Sequence, residues 1–325
     1  MSFAETIMNK YTNAVGGLAL LIAVVLWAYL KASGTVIMSR EQVDSSISAT
    51  LEALEESYIY PEVATEMSRS VRYKMAGGEY DYVFTNFGLI DRLQSDLRSV
   101  SGDLHISLRP YRAAGEASDG VVRKNSKNHG IGHTEIFSNK IGYIQINSFS
   151  FGEEAQSALS GAIRGFAASE AIIIDLRENG GGSANQSAYL AAIFLEPETL
   201  LWTYLSRNDE VKEEYRTQFV PDADVFKDIP LYVLTSKKTF SAAESFVWAM
   251  KLNNRATVVG EQTGGGAHTI KDIHLGNLFT LRTSIGRPVI PLGEKNWEAS
   301  GLMPDIAVPS DRSLEEVLGM VNQAN

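Results

Sequence analysis

The chain contains no cysteine, which excludes disulfides, thiolate metal sites and a cysteine nucleophile together. It also lacks a surplus of positive charge. Its 29 Lys and Arg face 39 Asp and Glu, for a formal net charge of −10. Nucleic acid is therefore not an expected partner, because phosphate backbones recruit Lys and Arg. Histidine is scarce at five residues, and neither a GxGxxG nor a GK[ST] phosphate-binding pattern occurs. No internal repeat or low-complexity tract interrupts the chain.

What is present is an ordinary globular composition, 44% hydrophobic and 21% charged over 325 residues, enough for one large or two modest domains with a sizeable core. The run from Tyr11 to Leu30 carries no charge and ends near Trp27 and Tyr29. As a helix it spans roughly 30 Å, the thickness of a bilayer core, with the aromatic pair placed as an interfacial belt. This predicts a membrane anchor. A cleaved signal peptide is the alternative, with Ala32-Ser33-Gly34 as its small-residue site. Lys10 on one side and Lys31 with Arg40 on the other do not set the orientation.

Beyond the anchor, Ser39 with Gln42 forms a capping-box pattern, and Ile47, Leu51, Leu54 and Tyr58 recur at helical spacing. Tyr60-Pro61-Glu62 breaks that helix, a second runs over Val63–Met75 to Gly77-Gly78, and a third over Leu89–Leu97. His105–Arg109 alternates like a strand, and Ala113–Gly132 reads as a loop or weak hairpin. From Lys140 the pattern becomes α/β: strands at Ile141–Asn147, Ala171–Leu176, Leu231–Thr235, Ala256–Gly260 and Leu278–Ser284, with helices at Ala155–Ala168, Ser183–Phe194, Ser241–Leu252 and Leu314–Val321. Such alternation implies a sheet covered by helices. The expected organisation is an anchor or signal segment over 1–38, a helical lobe over 39–110, a polar connector over 111–139 and an α/β core over 140–325.

Three segments carry candidate chemistry. In Thr235–Glu244 a strand ends, a short loop turns, and Ser241 opens a helix whose Ala242 amide points where an oxyanion forms. Ser241 with Glu244 is equally a capping box that needs no catalysis. In Ile174–Ser183, three glycines after a strand let backbone amides approach an anion closely, and a plain tight turn accounts for them as well. In Ser101–His105, a single histidine serves as a base or as a structural hydrogen-bonding residue. His129, His133, His268 and His274 read as structural or solvent-facing, lacking partners at metal-ligand spacing.

Together these segments resemble the C-terminal-processing (tail-specific) peptidases, within the branch of the tricorn protease core and the interphotoreceptor retinoid-binding protein modules. Five stretches in the same order carry the likeness: Asp96–His105, Ile174–Gly182, Thr239–Glu244, Val259–Gly265 and Trp297–Ile306. The resemblance implies an α/β core of the crotonase/Clp-protease ββα kind with a small N-terminal helical lobe. It implies a serine peptidase without metal or cofactor, acting on peptide or protein substrates outside the cytoplasm. By it Ser241 is the nucleophile, and Gly180, Gly181, Gly182 and Ala242 form the oxyanion hole. Bacterial processing enzymes activate their serine with a lysine; the matching place here is Gly264–Ala267, with no lysine before Lys271. The tricorn-like alternative, a histidine and a late glutamate, matches His105 and Glu298. That branch has a serine just before the histidine, where this chain has Leu104, leaving the relay to Asp103, Ser101 or water. The short connector implies no PDZ domain, since it falls below the ~50 residues of an ordinary domain. A binding module of the same architecture and, by fold analogy alone, an acyl-CoA hydratase or isomerase are the competing functions. An oligomer of identical chains is left open.

Overall fold

The computed structural model describes residues 32–111, 127–289 and 296–324. The span expected over Tyr11–Leu30 lies outside the described residues. Among those described, no helix is long and apolar enough to cross a membrane.

The N-terminal helices are α1 (Arg40–Ser57), α2 (Pro61–Ala76) and α3 (Asn86–Ser101), followed by strand β1 (Ser107–Pro110). The Ser39 hydroxyl accepts the Gln42 N–H at 3.2 Å and the Gln42 side chain accepts the Ser39 N–H at 2.9 Å, so α1 starts at a true capping box. Pro61 opens α2, where its missing N–H costs nothing. The Thr85 hydroxyl caps α3, which begins three residues before its apolar stripe, and Gly102 ends it at φ +67°. Ile47, Leu51 and Leu54 bury one face of α1 completely. They pack with Met67, Leu93 and Leu97 and with Phe279 and Leu281 of a later strand. Each such side chain contributes about 1.5–3 kcal/mol on burial, so the lobe is held firmly against the rest of the chain.

The larger sheet has six strands in the order β11-β8-β7-β4-β3-β2: Ile306–Ala307, Thr257–Gly260, Leu231–Thr235, Ala171–Asp175, Ile141–Ile146 and Ile131–Ile136. All neighbours are parallel except β2, which pairs antiparallel at the edge. Helices α4 (Glu153–Arg164), α5 (Ala184–Phe194) and α6 (Ala242–Leu252) cover one face, and α7 (Ser313–Ala324) covers the other. Burial on both faces explains the continuous apolar run Ala171–Ile174.

A second sheet stands beside the helix-covered one that the alternation implies. It runs β1-β10-β5-β6, with β9 also pairing β10, all antiparallel; β5 is Leu200–Ser206, β6 Val211–Arg216, β9 Thr269–Leu275 and β10 Phe279–Pro288. The first strand of this sheet starts at Ser107, so His105 sits in the turn ahead of it rather than within a strand. The parallel strands β4, β7 and β8 deliver their carboxyl ends to the same edge that β1 and β9 enter. Open α/β sheets place ligands at such an edge.

Candidate active site

After β7, residues Ser236–Phe240 form a turn held by its own polar groups. The Thr239 hydroxyl donates to the Leu176 carbonyl at 2.8 Å and accepts the Ser236 N–H at 3.0 Å. The Phe240 N–H donates to the Asn179 carbonyl at 3.0 Å, tying the turn to the glycine segment after β4. Ser241 follows at φ 55°, ψ −124°, outside the helical, strand and left-handed basins. A non-glycine residue there stores roughly 1–3 kcal/mol of strain. The neighbourhood compels it. Glu244, fully buried, accepts the Ser241 N–H at 2.9 Å, the Gly265 N–H at 2.8 Å, the Gly266 N–H at 2.7 Å and the Thr263 hydroxyl. Burial pushes its carboxyl above the usual range, against the pull of these donors. Glu244 is thus both the helix cap that the sequence allows and a clamp on the Gly264–Gly266 loop.

The glycine turn lies directly against the serine. At Gly181, φ +100°, a Cβ would come within 2.8 Å of the Ser241 Cβ and 3.2 Å of the Ala242 nitrogen. At Gly182, φ +134°, it would collide with the Phe149 carbonyl at 2.0 Å. One of the expected oxyanion donors is corrected here: the Gly181 N–H is already bonded to Asn179 Oδ1 at 2.8 Å. Among the described residues the Gly180, Gly182 and Ala242 amides have no hydrogen-bond acceptor.

Ser241, His105, Gly180, Gly181, Gly182 and Phe240 line one cleft of about 840 Å³, with Phe149 and Phe151 giving it apolar wall and Asp272 with Arg282 a charged one. His105 reaches it from the lobe. The Arg98 guanidinium donates to the Leu104 carbonyl at 2.8 Å and the Ile106 carbonyl at 2.7 Å, fixing the turn after α3. The imidazole rests on the Phe240 ring, centroids 4.8 Å apart. Among the described residues neither of its nitrogens has a hydrogen-bond partner, so the Ser241 hydroxyl is not bonded to it in this arrangement.

Behind His105, its Nδ1 lies 3.4 Å from Asp103 Oδ1 and 3.8 Å from Glu298 Oε1. Leu104 is 48% exposed and takes no part. The Ser101 hydroxyl is spent on the Leu97 carbonyl and the Asp103 N–H. Of the alternatives to a serine at 104, Asp103 is therefore the residue in place, and it lies nearer the imidazole than Glu298. Asp103 accepts the His105 N–H at 2.8 Å and the Ser284 hydroxyl at 2.6 Å. Glu298 is held by the Ala267 and His268 amides at 2.6 and 3.1 Å.

The structure also corrects the reading of His268 as a structural or solvent-facing residue without a carboxylate partner. It is 4% exposed, with Nδ1 3.4 Å from Glu298 Oε2 and 3.6 Å from Asp103 Oδ2. No sequence spacing announces this, because the three residues come from distant segments. His133 pairs with Glu135 on the exposed face of β2 and His274 with Thr280, both away from the cleft. Burial draws the His105 pKa down, but the Asp103 and Glu298 carboxylates outweigh it and push it up to about 9. Burial likewise disfavours ionised Asp103, yet the two imidazoles hold it well below the usual carboxylate range. Burial and the adjoining Asp103 charge push the Tyr58 hydroxyl upward.

Residues 140–308, just over half of the chain, match the model of peptidase family S41. Residues 28–137 match that of the N-terminal domain of S41 peptidases in eukaryotic IRBP. A carboxyl-terminal-processing protease of a Picosynechococcus strain is 28% identical over 53% of this chain and 40% of its own length. The chloroplastic carboxyl-terminal-processing peptidase 2 of Arabidopsis thaliana is 30% identical over 55% of this chain and 34% of its own. The chain thus spans well under half the length of these curated relatives. A solved protein from Parabacteroides merdae shares the fold, with a TM-score of 0.60 and 22% identity over 86% of this chain and 96% of that one.

Proposed function

The chain belongs to peptidase family S41, and from that premise we propose that it is a serine peptidase that hydrolyses unfolded or tail-exposed polypeptides with Ser241 as nucleophile and His105 as base. One observation carries the reading: Ser241, His105 and the glycine turn line a single cleft, with two carboxylates behind the imidazole.

The substrate lies in the cleft with its scissile carbonyl between Ser241 and the turn. Nε2 of His105 takes the hydroxyl proton as the Ser241 oxygen attacks the carbonyl carbon. The charge that forms on the carbonyl oxygen is met by the Ala242 amide and by those of Gly180 and Gly182. Asp103 and Glu298, facing Nδ1, stabilise the imidazolium, which then protonates the departing amine. Water attacks the acyl-enzyme by the same route in reverse. His105 belongs to the lobe and Ser241 to the core, so a small approach of one to the other completes the hydrogen bond that resting sites often lack. The uncharged Tyr11–Leu30 segment supports a single-pass tether.

Replacing Ser241 by Ala is expected to lower hydrolysis of an unfolded peptide by ~10⁴–10⁶-fold, with stability little changed because alanine carries the same Cβ into the same strained backbone. Retention of full activity in that variant overturns the assignment.

A further inference from the structure

We propose that Asp103, His268 and Glu298 form a site for a divalent metal ion of the zinc class, with His105 beside it, and that the ion silences the peptidase when bound. One donor atom from each of the first three residues lies within 4.8 Å of the others. His268 Nδ1 stands 3.6 Å from Asp103 Oδ2 and 3.4 Å from Glu298 Oε2. Zinc bound at ~2.0–2.2 Å by four N and O ligands sets its donors about 3.3–3.6 Å apart. The pocket is spaced for an ion rather than for direct hydrogen bonds.

Its unmet bonding points the same way. Among the described residues, both nitrogens of His268 and Oε1 of Glu298 are buried without a hydrogen-bond partner. Buried polar groups are almost always paired, and unpaired atoms gathered in one place call for an occupant. Two carboxylates with a neutral imidazole offset the charge of a dication, and that mixture without thiolate suits zinc better than magnesium or calcium. The outer contacts that orient metal ligands are already made. Asp103 is held by Ser284, and Glu298 by the Ala267 and His268 amides.

A dication held by Asp103 and Glu298 withdraws both carboxylates from the His105 imidazolium and opposes its positive charge. The base then takes up no proton from Ser241, and hydrolysis stops until the ion leaves. This inhibition, though not the binding, rests on His105 being the base.

The test is equilibrium dialysis of the full chain, stripped with chelator, against micromolar Zn²⁺. One ion per chain is expected, with an X-ray absorption edge that fits one imidazole nitrogen and carboxylate oxygens. His268→Gln should weaken binding by ~10–100-fold. Wild-type hydrolysis should fall as zinc binds and return with chelator. No stoichiometric uptake, a spectrum without imidazole, or unchanged affinity in His268→Gln overturns the proposal. Should that variant misfold, Co²⁺ on the wild-type chain decides: intense tetrahedral d–d bands support the site and their absence refutes it. Dialysis reads metal and not turnover, so a chain that binds zinc through His268 yet never hydrolyses a peptide refutes the peptidase reading alone.

Discussion

Asp96 and Asp103 are neighbours in sequence and both buried, yet one cluster is finished and the other is not. Asp96 accepts from Lys74 Nζ at 2.6 Å, the Tyr80 hydroxyl at 2.7 Å and Arg92 Nε at 3.0 Å. Burial works against its charge, but these donors hold its carboxyl below the usual range. Asp103 has its backbone and hydroxyl donors, while the imidazoles beside it stand at 3.4 and 3.6 Å without hydrogen bonds. Saturated charges lock a lobe in place. Unsaturated ones remain available to a proton, a hydroxyl or an ion. The difference separates structural from chemical acidity between positions 96 and 103 of the chain.

The sharpest way to break the comparison is to neutralise each carboxylate in turn. Asp103→Asn should cut hydrolysis by ~10²–10⁴-fold, as loss of a carboxylate behind a catalytic imidazole does. Asp96→Asn should leave turnover within a few-fold and cost about 1–3 kcal/mol of stability, measured by urea denaturation. Equal effects of the two on turnover would erase the distinction.

A smaller effect is expected at the glycine turn. Gly181→Ala forces a methyl group to 2.8 Å from the Ser241 Cβ at a φ that alanine rarely adopts. Displacement of the nucleophile and its oxyanion donors should lower kcat by ~10–10²-fold, with KM changed less. An unaltered kcat would place the turn outside the chemistry.

Dependence on pH gives the mildest readout. His105 faces Asp103 and Glu298, with His268 and Tyr58 beyond them. Because the base must be neutral, hydrolysis measured in chelator should climb with pH towards about 9, and Asp103→Asn should shift that limb downward. Stability should respond in the opposite sense at the two clusters. The contribution of His105, whose folded pKa is raised, is full below ~6.5 and fades as pH rises through about 9. That of Asp96, whose folded pKa is lowered, is full above ~3.9 and fades as pH falls below it.

Local pattern made much of this legible. The stripe Ile47, Leu51, Leu54 foretold α1, and Leu231–Thr235 followed by Ser241 foretold a strand, a turn and a helix, because neighbouring residues create those signals. The second sheet was not legible. Its strand β6 is Val211-Lys-Glu-Glu-Tyr-Arg216, nearly all exposed and without alternation, and Lys271 and Asp272 break the pattern of β9. His268 escaped for a different reason: its partners lie at 103 and 298, and only the meeting of three segments reveals them. The resemblance, with Leu104 where the branch has a serine, leaves the relay open among Asp103, Ser101 and water, and the turn after Gly102 decides it by pointing Leu104 outward and Asp103 in. Turn geometry, not register, decides which residue faces the imidazole.

The central claim is that His105 activates the Ser241 hydroxyl, and the most direct measurement is covalent labelling of the intact chain with a fluorophosphonate, located by peptide mass spectrometry. The account predicts a single adduct on Ser241 that forms in the wild type and is lost in His105→Gln. An adduct that forms as fast without the imidazole, or none at all in a folded, metal-free wild type, contradicts it.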